Sequence, residues 1–334
     1  MTGVVNEALQ NTIAPTNRPL TLYLDTNIIS YGSQGDLEPL RAASLGDGLV
    51  FVVSDHSLDE IYAGDPKEKI EFLKNVGAKA VFRSDAISPN GGFNLRELSD
   101  YDGSENCTAP IEEFLIELFR QIAGSPSETV LSDLFEQSMS DQIGLLDEFV
   151  QNAKDDGVRT YFQSKIRRLN AQIQSSPVIP AIRVTNEERR SMRAHADYLS
   201  QIRPPNVVAK ILEKVGKPVR EAASEFFRPI EDVTKARERI SIAGIMLVAL
   251  GFCKDKRIGN PVESESKRGA RSQFVDFGHI ATAAGCSAFI TGDKDCARLA
   301  FSLYEHFQVN SFVMFLEQTR QEKEFYKVGI DFWP

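Results

Sequence analysis

"LYLDTNIIS", residues 22–30, passes without a break from strand-forming apolar residues to Asp25, Thr26 and Asn27. Three polar side chains in succession at the end of a buried run need a reason. In a parallel sheet the carboxyl ends of the strands form the edge where ligands bind, so a carboxylate just past such a strand is a natural site residue. A lone Asp in that position also serves as an Asx turn or as the N-cap of the next segment, and residue 25 by itself does not decide between these roles. The decision depends on what the rest of the chain places beside it.

Four further runs have the same strand character. "LVFVV" (49–53), "AKAVFR" (78–83), "SAFIT" (287–291) and "SFVMFL" (311–316) are short, rich in β-branched or aromatic residues and bounded by turn formers. "PLRAASLGDG" (39–48) allows a short helix between the first two. Strands alternating with helices predict an α/β domain with a parallel or mostly parallel sheet. From about 86 to 230 the pattern changes to helical periodicity, clearest in "IEEFLIELFRQIA" (111–123), where Ile111, Phe114, Leu115, Leu118, Phe119 and Ile122 form one stripe. Pro177, Pro180, Pro204, Pro205 and Pro218 cut the later helices short. The expected organisation is an irregular lead over 1–19, an α/β domain made of 20–85 and 235–334, and a mainly α-helical insertion over 86–234.

Composition narrows the classes. With 334 residues, 42% of them hydrophobic and 25% charged, the chain can bury one large core or two ordinary ones. A net charge of -9 argues against wholesale coating of nucleic acid, which leaves room for a local basic face. Residues 100–156 hold 14 acids against 2 bases, and 159–193 hold 8 bases against 2 acids; solvated faces or a phosphate-contacting surface both fit. Cys107, Cys253, Cys286 and Cys296 show no C-x-x-C pair, so neither a disulfide framework nor a thiolate zinc site is indicated and a reducing cytosol is expected. The N-terminus has no signal-peptide pattern, and "IAGIMLVALGF" (242–252) falls short of the roughly 20 residues of a membrane span and reads as a buried helix.

The candidate site residues are carboxylates. "SDHSLDEIYAG" (54–64) follows the second strand; Ser54 is placed to cap a helix carrying Asp55, Asp59 and Glu60, with Leu58, Ile61 and Tyr62 on its apolar face. Periodicity does not choose between Asp59 and Glu60, and Ser57 to Glu60 also matches a capping box. In "FVDFGHIATAAGCSAFITGDKDCARLA" (274–300), Asp276 opens an alanine-rich helix, and Asp293 and Asp295 fall at the next strand-to-helix turn, where Asp295 could be the helix cap. Four carboxylates gathered at one sheet edge would repel one another unless a cation neutralised them. Oxygen donors without His or Cys spacing favour Mg²⁺ or Mn²⁺, which can activate water against a phosphodiester.

In that order, "YLDTNII", "SDHSLDEIYAG", "DFGHIATAAG" and "ITGDKD" resemble the four acidic motifs of PIN-domain ribonucleases, over about residues 20–85 and 235–320. The resemblance implies a three-layer α/β/α sandwich and a metal-dependent endoribonuclease leaving 5′-phosphate and 3′-hydroxyl ends. It makes Asp25 the first metal ligand, with Glu60, Asp276 and Asp293 or Asp295 as the second, third and fourth acids of the metal set, Glu60 holding a ligand water or a second ion. Thr26 and Asn27 would shape the first loop, and Thr291 matches the family's hydroxyl before the last acid. Some relatives cut DNA, so RNA is the expected substrate and DNA the alternative.

The helical block lies outside the resemblance and could bind an inhibitor or partner protein. "CKDKRIGNPVESESKRGARSQ" (253–273) reads as a loop beside the site whose Lys254, Lys256, Arg257, Lys267, Arg268 and Arg271 could grip phosphate. His279 reads as a packed or hydrogen-bonded helix residue with a substrate contact left open, and Phe274 and Phe277 as core anchors. A different class, a catalytically inactive nucleic-acid-binding or protein-interaction module on the same fold, is kept open. A phosphohydrolase with Asp25 as nucleophile is disfavoured, since Asn27 stands where its second Asp would be.

Overall fold

Alternation within the apolar runs decides how the sheet is covered. In the computed structural model, which describes residues 19–34, 49–82, 94–101, 201–214, 226–230, 236–258, 260–318, 323–329 and 332–333 with scattered positions from 116 to 199 and at 220 and 224, six strands form one mixed sheet. They are β1 (Leu20–Leu24), β2 (Leu49–Ser54), β3 (Lys79–Val81), β4 (Ala288–Thr291), β5 (Phe312–Gln318) and β6 (Lys323–Lys327). Their order is β3-β2-β1-β4-β5-β6. The first five are parallel, with Tyr23 aligned to Val52 and to Phe289, and only β6 runs antiparallel, along β5.

Because successive side chains of a strand point to opposite faces, each strand feeds two cores. Tyr23, Val52, Val81, Phe289, Val313 and Phe315 join one buried cluster; Leu22, Leu24, Phe51, Val53, Ala80, Ala288, Ile290, Met314 and Leu316 join the other. The second cluster is closed by α1 (Thr26–Ser33), α2 (Asp55–Ala63) and α3 (Pro66–Asn75), through Ile28, Ile29, Leu58, Ile61, Phe72 and Leu73. The first is closed by α4 (Val207–Lys214), α5 (Ala236–Ala249), α6 (Glu263–Ala283) and α7 (Lys294–Phe307). Burying one such aliphatic or aromatic side chain is worth about 1.5–3 kcal/mol, so continuity of these clusters outweighs any single cap or ion pair.

The predicted helical block contributes to the first cluster. Ile116, Phe119, Ala123, Leu199, Ile202, Val207, Val208, Ile211 and Phe227 are buried in it alongside residues of β1, α6 and α7. Phe119 meets Phe277 edge to face at 5.4 Å. Ile116, Phe119 and Ala123 are the buried face here; of the expected stripe only Phe119 is shared, and Ile111, Phe114, Leu115, Leu118 and Ile122 lie outside the described residues, as do most of the acidic and basic runs and "PLRAASLGDG". Glu305 of α7 accepts from the backbone N–H groups of Asn206 and Val207 at 2.8 and 3.3 Å, satisfying donors at the start of α4.

Two expectations about the C-terminal half are corrected. Residues 263–273 are the first half of α6 and not a loop, and Asp276 lies well inside that helix instead of opening it. The helix begins after Pro261, with Glu263 and Glu265 in its first turn, where acids suit the exposed N–H groups. Its buried face in this half is Ser266, Gly269, Ala270 and Gln273, a stripe too small and polar to register as hydrophobic periodicity. It is small because the preceding segment lies against it: a Cβ on Gly269 would come within 2.7 Å of Arg257 Cβ.

No helix among the described residues is long and apolar enough to cross a membrane. Cys253, Cys286 and Cys296 are free and buried. Burial pushes the Cys286 thiol up to about 12, so it is not a thiolate nucleophile.

Candidate active site

The strand order reverses between β1 and β4, and in open α/β sheets the crevice beyond the carboxyl ends at such a point is where ligands bind. Asp25 follows β1 there, and Thr291 ends β4 next to it. Asp25 is 4% exposed. Its Oδ1 accepts from the Thr26 backbone N–H at 2.7 Å, which caps α1; its Oδ2 accepts from Asn27 Nδ2 at 2.7 Å and from the Thr291 hydroxyl at 2.6 Å. The capping alternative for Asp25 therefore holds, and the capping carboxylate lies at the switch point.

Asn27 fastens the two loops. While its amide donates to Asp25, its Oδ1 accepts from the Gly292 N–H at 2.8 Å. Thr291 Oγ1 accepts from the Asp293 N–H at 3.0 Å, so Asp25 and Asp293 are joined through one hydroxyl. Asp293, not Asp295, caps α7: its Oδ1 accepts from the N–H groups of residues 295 and 296 at 2.8 and 2.9 Å. The Asp295 side chain is 56% exposed and faces Arg298 at 3.4 Å.

α2 starts at Ser54, whose hydroxyl accepts from the Ser57 N–H at 3.3 Å, and Glu60 makes no capping box. Glu60 Oε2 instead accepts from the Thr26 hydroxyl and lies 3.2 Å from His279 Nε2. Asp59 turns the other way and accepts from the Tyr101 hydroxyl. His279 is 1% exposed, its Nε2 is 3.7 Å from Asp25 Oδ1, and its Nδ1 is 2.7 Å from the Tyr23 hydroxyl. That hydroxyl also meets Ser54 Oγ at 2.7 Å and Ser57 Oγ at 3.3 Å. In the sequence Ser54 and Ser57 carry only a capping pattern, and Tyr23 no site pattern at all. The available signal was a tyrosine in the middle of a buried strand, whose hydroxyl must find a polar partner.

The electrostatics show which acids share a neighbourhood. Desolvation raises the Asp276 carboxyl well above its ordinary range, and the charges of Asp25, Asp293, Glu60 and Asp255 raise it further, in that order. Burial would raise Glu60, but the hydrogen bond and charge of His279, with the Thr26 hydroxyl, hold it below its ordinary value. Burial would lower His279, and the hydrogen bond to Glu60 with the charges of Asp25, Glu60 and Asp55 raises it instead. The fold thus brings Asp25, Glu60, Asp276 and Asp293 into one field and leaves Asp295 at its margin.

Several proposed phosphate-gripping cations are otherwise engaged. Arg257 is held on Asp255 by bonds of 3.1, 3.0 and 2.5 Å, Lys267 pairs with Glu263 one turn away at 2.7 Å, and Lys254 donates to the Ala123 carbonyl. Lys256, Arg268 and Arg271 are exposed. Phe277 is buried, with Phe274 packed against the same cluster.

No family model, curated protein or solved structure matches this chain. The site must be read from its own chemistry. Among the described residues, no group of three or more His, Cys, Asp or Glu side chains is arranged to hold a metal ion as it stands. The oxygens explain why: Asp25 is committed to Thr26, Asn27 and Thr291, Glu60 to Thr26 and His279, and Asp293 to the start of α7. The donor set nonetheless suits a hard divalent cation, being carboxylate oxygens whose mutual repulsion His279, His56 and Arg257 offset in part.

These shifts have a sign in stability. Asp276 binds its proton more tightly folded than unfolded, so stability falls as pH rises from near 3.8 through its folded value. His279, raised from 6.5, contributes stability that is complete below 6.5 and lost as pH rises through its folded value. Glu60, lowered from 4.5, acts oppositely: its contribution is present above 4.5 and lost as pH falls through its folded value. Without metal, Asp276→Asn should gain thermal stability relative to wild type as pH is raised from acidic to alkaline. Calorimetry on both proteins across that range checks this, and a constant difference would contradict the repulsion.

Proposed function

We propose that this chain is a metal-dependent nuclease of PIN-like architecture, an α/β/α sandwich that hydrolyses phosphodiester bonds in RNA. The observation that carries the reading is the field around Asp276, whose carboxyl is raised well above its ordinary range by burial and then by the charges of Asp25, Asp293 and Glu60 at the same end of the sheet. Such crowding costs stability and is retained where a cation or a reacting group uses it.

Asp25, Asp276 and Asp293 would hold Mg²⁺ or Mn²⁺, which would supply charge neutralisation and a more acidic bound water. The chain's own residues do the positioning. Asn27 locks the loop after β1 to the loop after β4, so Asp25 and Asp293 keep their spacing. Tyr23, itself held by Ser54 and Ser57, fixes the His279 ring, and His279 with Thr26 fixes Glu60. Glu60, its side chain 38% exposed, lies on the solvent side together with Asp293 and would orient an attacking water. Arg268 and Arg271 on α6 are the cations we assign to substrate phosphate.

The test is incubation with Mn²⁺ and single-stranded RNA or DNA, followed by mapping of the ends. Asp25-dependent cleavage leaving 5′-phosphate and 3′-hydroxyl ends is expected; absence of cleavage with both polymers would sink the reading. The internal commitment of the carboxylates favours one alternative, an inactive nucleic-acid-binding or protein-interaction module. A calorimetric Mn²⁺ titration separates the two, since an inactive module has no need of Asp25-dependent binding.

A further inference from the structure

Exposure alone does not select a substrate contact. Tyr62, expected on the apolar face of α2, is 51% exposed, yet it stacks on Tyr101 on the Asp59 side of the helix, turned away from the carboxylates. Arg257 is placed differently. The segment that carries it runs along one face of α6, and a buried amide holds it there: Gln273 Nε2 donates to the Cys253 carbonyl at 2.8 Å, and Gln273 Oε1 accepts from the Asp255 N–H at 2.8 Å. Arg257 itself rests on Gly269, where a Cβ would collide with its own.

Gly269, Gln273 and Asp276 recur at spacings of four and three, so they share that face of α6. Asp276 is one turn beyond Gln273, about 4.5 Å further along the axis. Asp255, seated on Gln273, is thus nearer Asp276 than the Gly269 contact is, and it draws the guanidinium that way. Arg257 Nε and Nη2 donate to Asp255 Oδ2 at 3.0 and 2.5 Å, while Asp255 Oδ1 accepts from the Arg257 backbone N–H at 2.7 Å. The hydrogen bond to Asp255 raises the guanidinium above its ordinary value, and the charges of Asp255, Glu265 and Asp276 add to this against burial.

Only one edge of the guanidinium is used. An arginine presents five N–H donors in a planar fork. The two on Arg257 Nη1 have no partner among the described residues, and the side chain is 37% exposed. We propose that Arg257, held by Asp255, grips with this second edge the phosphate of the RNA strand next to the one being cut; this rests on the nuclease reading above. Arginine meets phosphate through two parallel N–H bonds, and a fork already fixed on one side loses little rotamer freedom when the other side is engaged. The ion pair to Asp255 therefore orients the contact instead of excluding it.

The experiment measures Mn²⁺-dependent cleavage of an oligoribonucleotide by wild type, Arg257→Gln and Arg257→Lys over a range of salt concentrations. Matched oligomers carry an uncharged methylphosphonate at the linkage on one side or the other of the cut. Arg257→Gln should raise KM about tenfold with kcat little changed, and the fall of log kcat/KM with log salt should become shallower by about 0.7. Arg257→Lys keeps the charge without the fork, so the salt dependence should return while KM stays raised. One of the two methylphosphonates should raise the wild-type KM to that of Arg257→Gln and leave the variant unchanged. The wild-type half of that comparison stands even if the variants fold poorly. An unchanged KM in Arg257→Gln, a wild-type KM indifferent to both methylphosphonates, or equal losses in wild type and variant overturns the contact and leaves the nuclease standing. A wild type that cuts no RNA overturns both.

Discussion

Asp25→Asn is expected to cut Mn²⁺-dependent cleavage by about a hundredfold to a thousandfold, while the protein remains folded. The rate expectation follows from removing one fixed charge at the reacting centre, a class of change that costs about 10²–10³-fold. The folding expectation follows from the partners. An amide in place of the carboxylate still accepts from the Thr26 N–H, but its nitrogen would face the Asn27 amide and the Thr291 hydroxyl, both of which donate to Asp25 Oδ2. The threonine can rotate its proton away. Asn27 cannot turn without giving up its bond from Gly292. One strained or lost buried hydrogen bond costs about 1–3 kcal/mol, and relief of the repulsion on Asp276 offsets part of it. Wild type should gain thermal stability from Mn²⁺ and the variant should not. Asp295→Asn, outside the field, is the control and should keep its turnover. Full Mn²⁺-dependent activity in Asp25→Asn would remove this carboxylate from the site.

The second large effect lies behind the site. Gly32→Ala within a helix ordinarily stabilises by about 1 kcal/mol through backbone propensity. Here the sign should reverse. A Cβ on Gly32 would stand 2.2, 2.5 and 2.6 Å from three ring atoms of Phe72, which is itself 2% exposed and has no room to retreat. Overpacking of this kind costs about 1–3 kcal/mol beyond the propensity gain, and α1 can relieve it only by moving off α3, which drags Thr26 and Asn27 with it. We expect a lower thermal midpoint and weaker Mn²⁺ binding in Gly32→Ala. Adding Phe72→Leu should restore part of both, and a stabilised Gly32→Ala would show that the helices are not in this contact.

The same contacts explain what could be read in advance. β1, β2, β4 and β5 were legible because buried parallel strands are unbroken apolar runs. β6 was not, since "KEFYK" is an edge strand whose charged residues mask its pairing with β5. α1 was hidden by its β-branched opening, and forms because Asp25 caps it and Ile28 and Ile29 are buried. Glu60 and not Asp59 meets His279, and Asp293 and not Asp295 caps α7. Neither is a periodicity. The Tyr23 and His279 pairing joins residues 256 positions apart, and no local pattern announces it.

The β1 and β4 pairing carries a consequence for how such an activity would be born. Thr21 and Ser287 exchange bonds across 266 positions, and Asp25 and Thr291 span the same separation. A nascent polypeptide that has left the ribosome only through residue 280 already exposes Asp25, Glu60 and Asp276, yet lacks the strand that seats Asp25. Pairings this distant form late, because the intervening loop must first be closed. Interrupted translation products would therefore carry three of the acids without the proposed site, which is complete only after residues 288–293 have emerged.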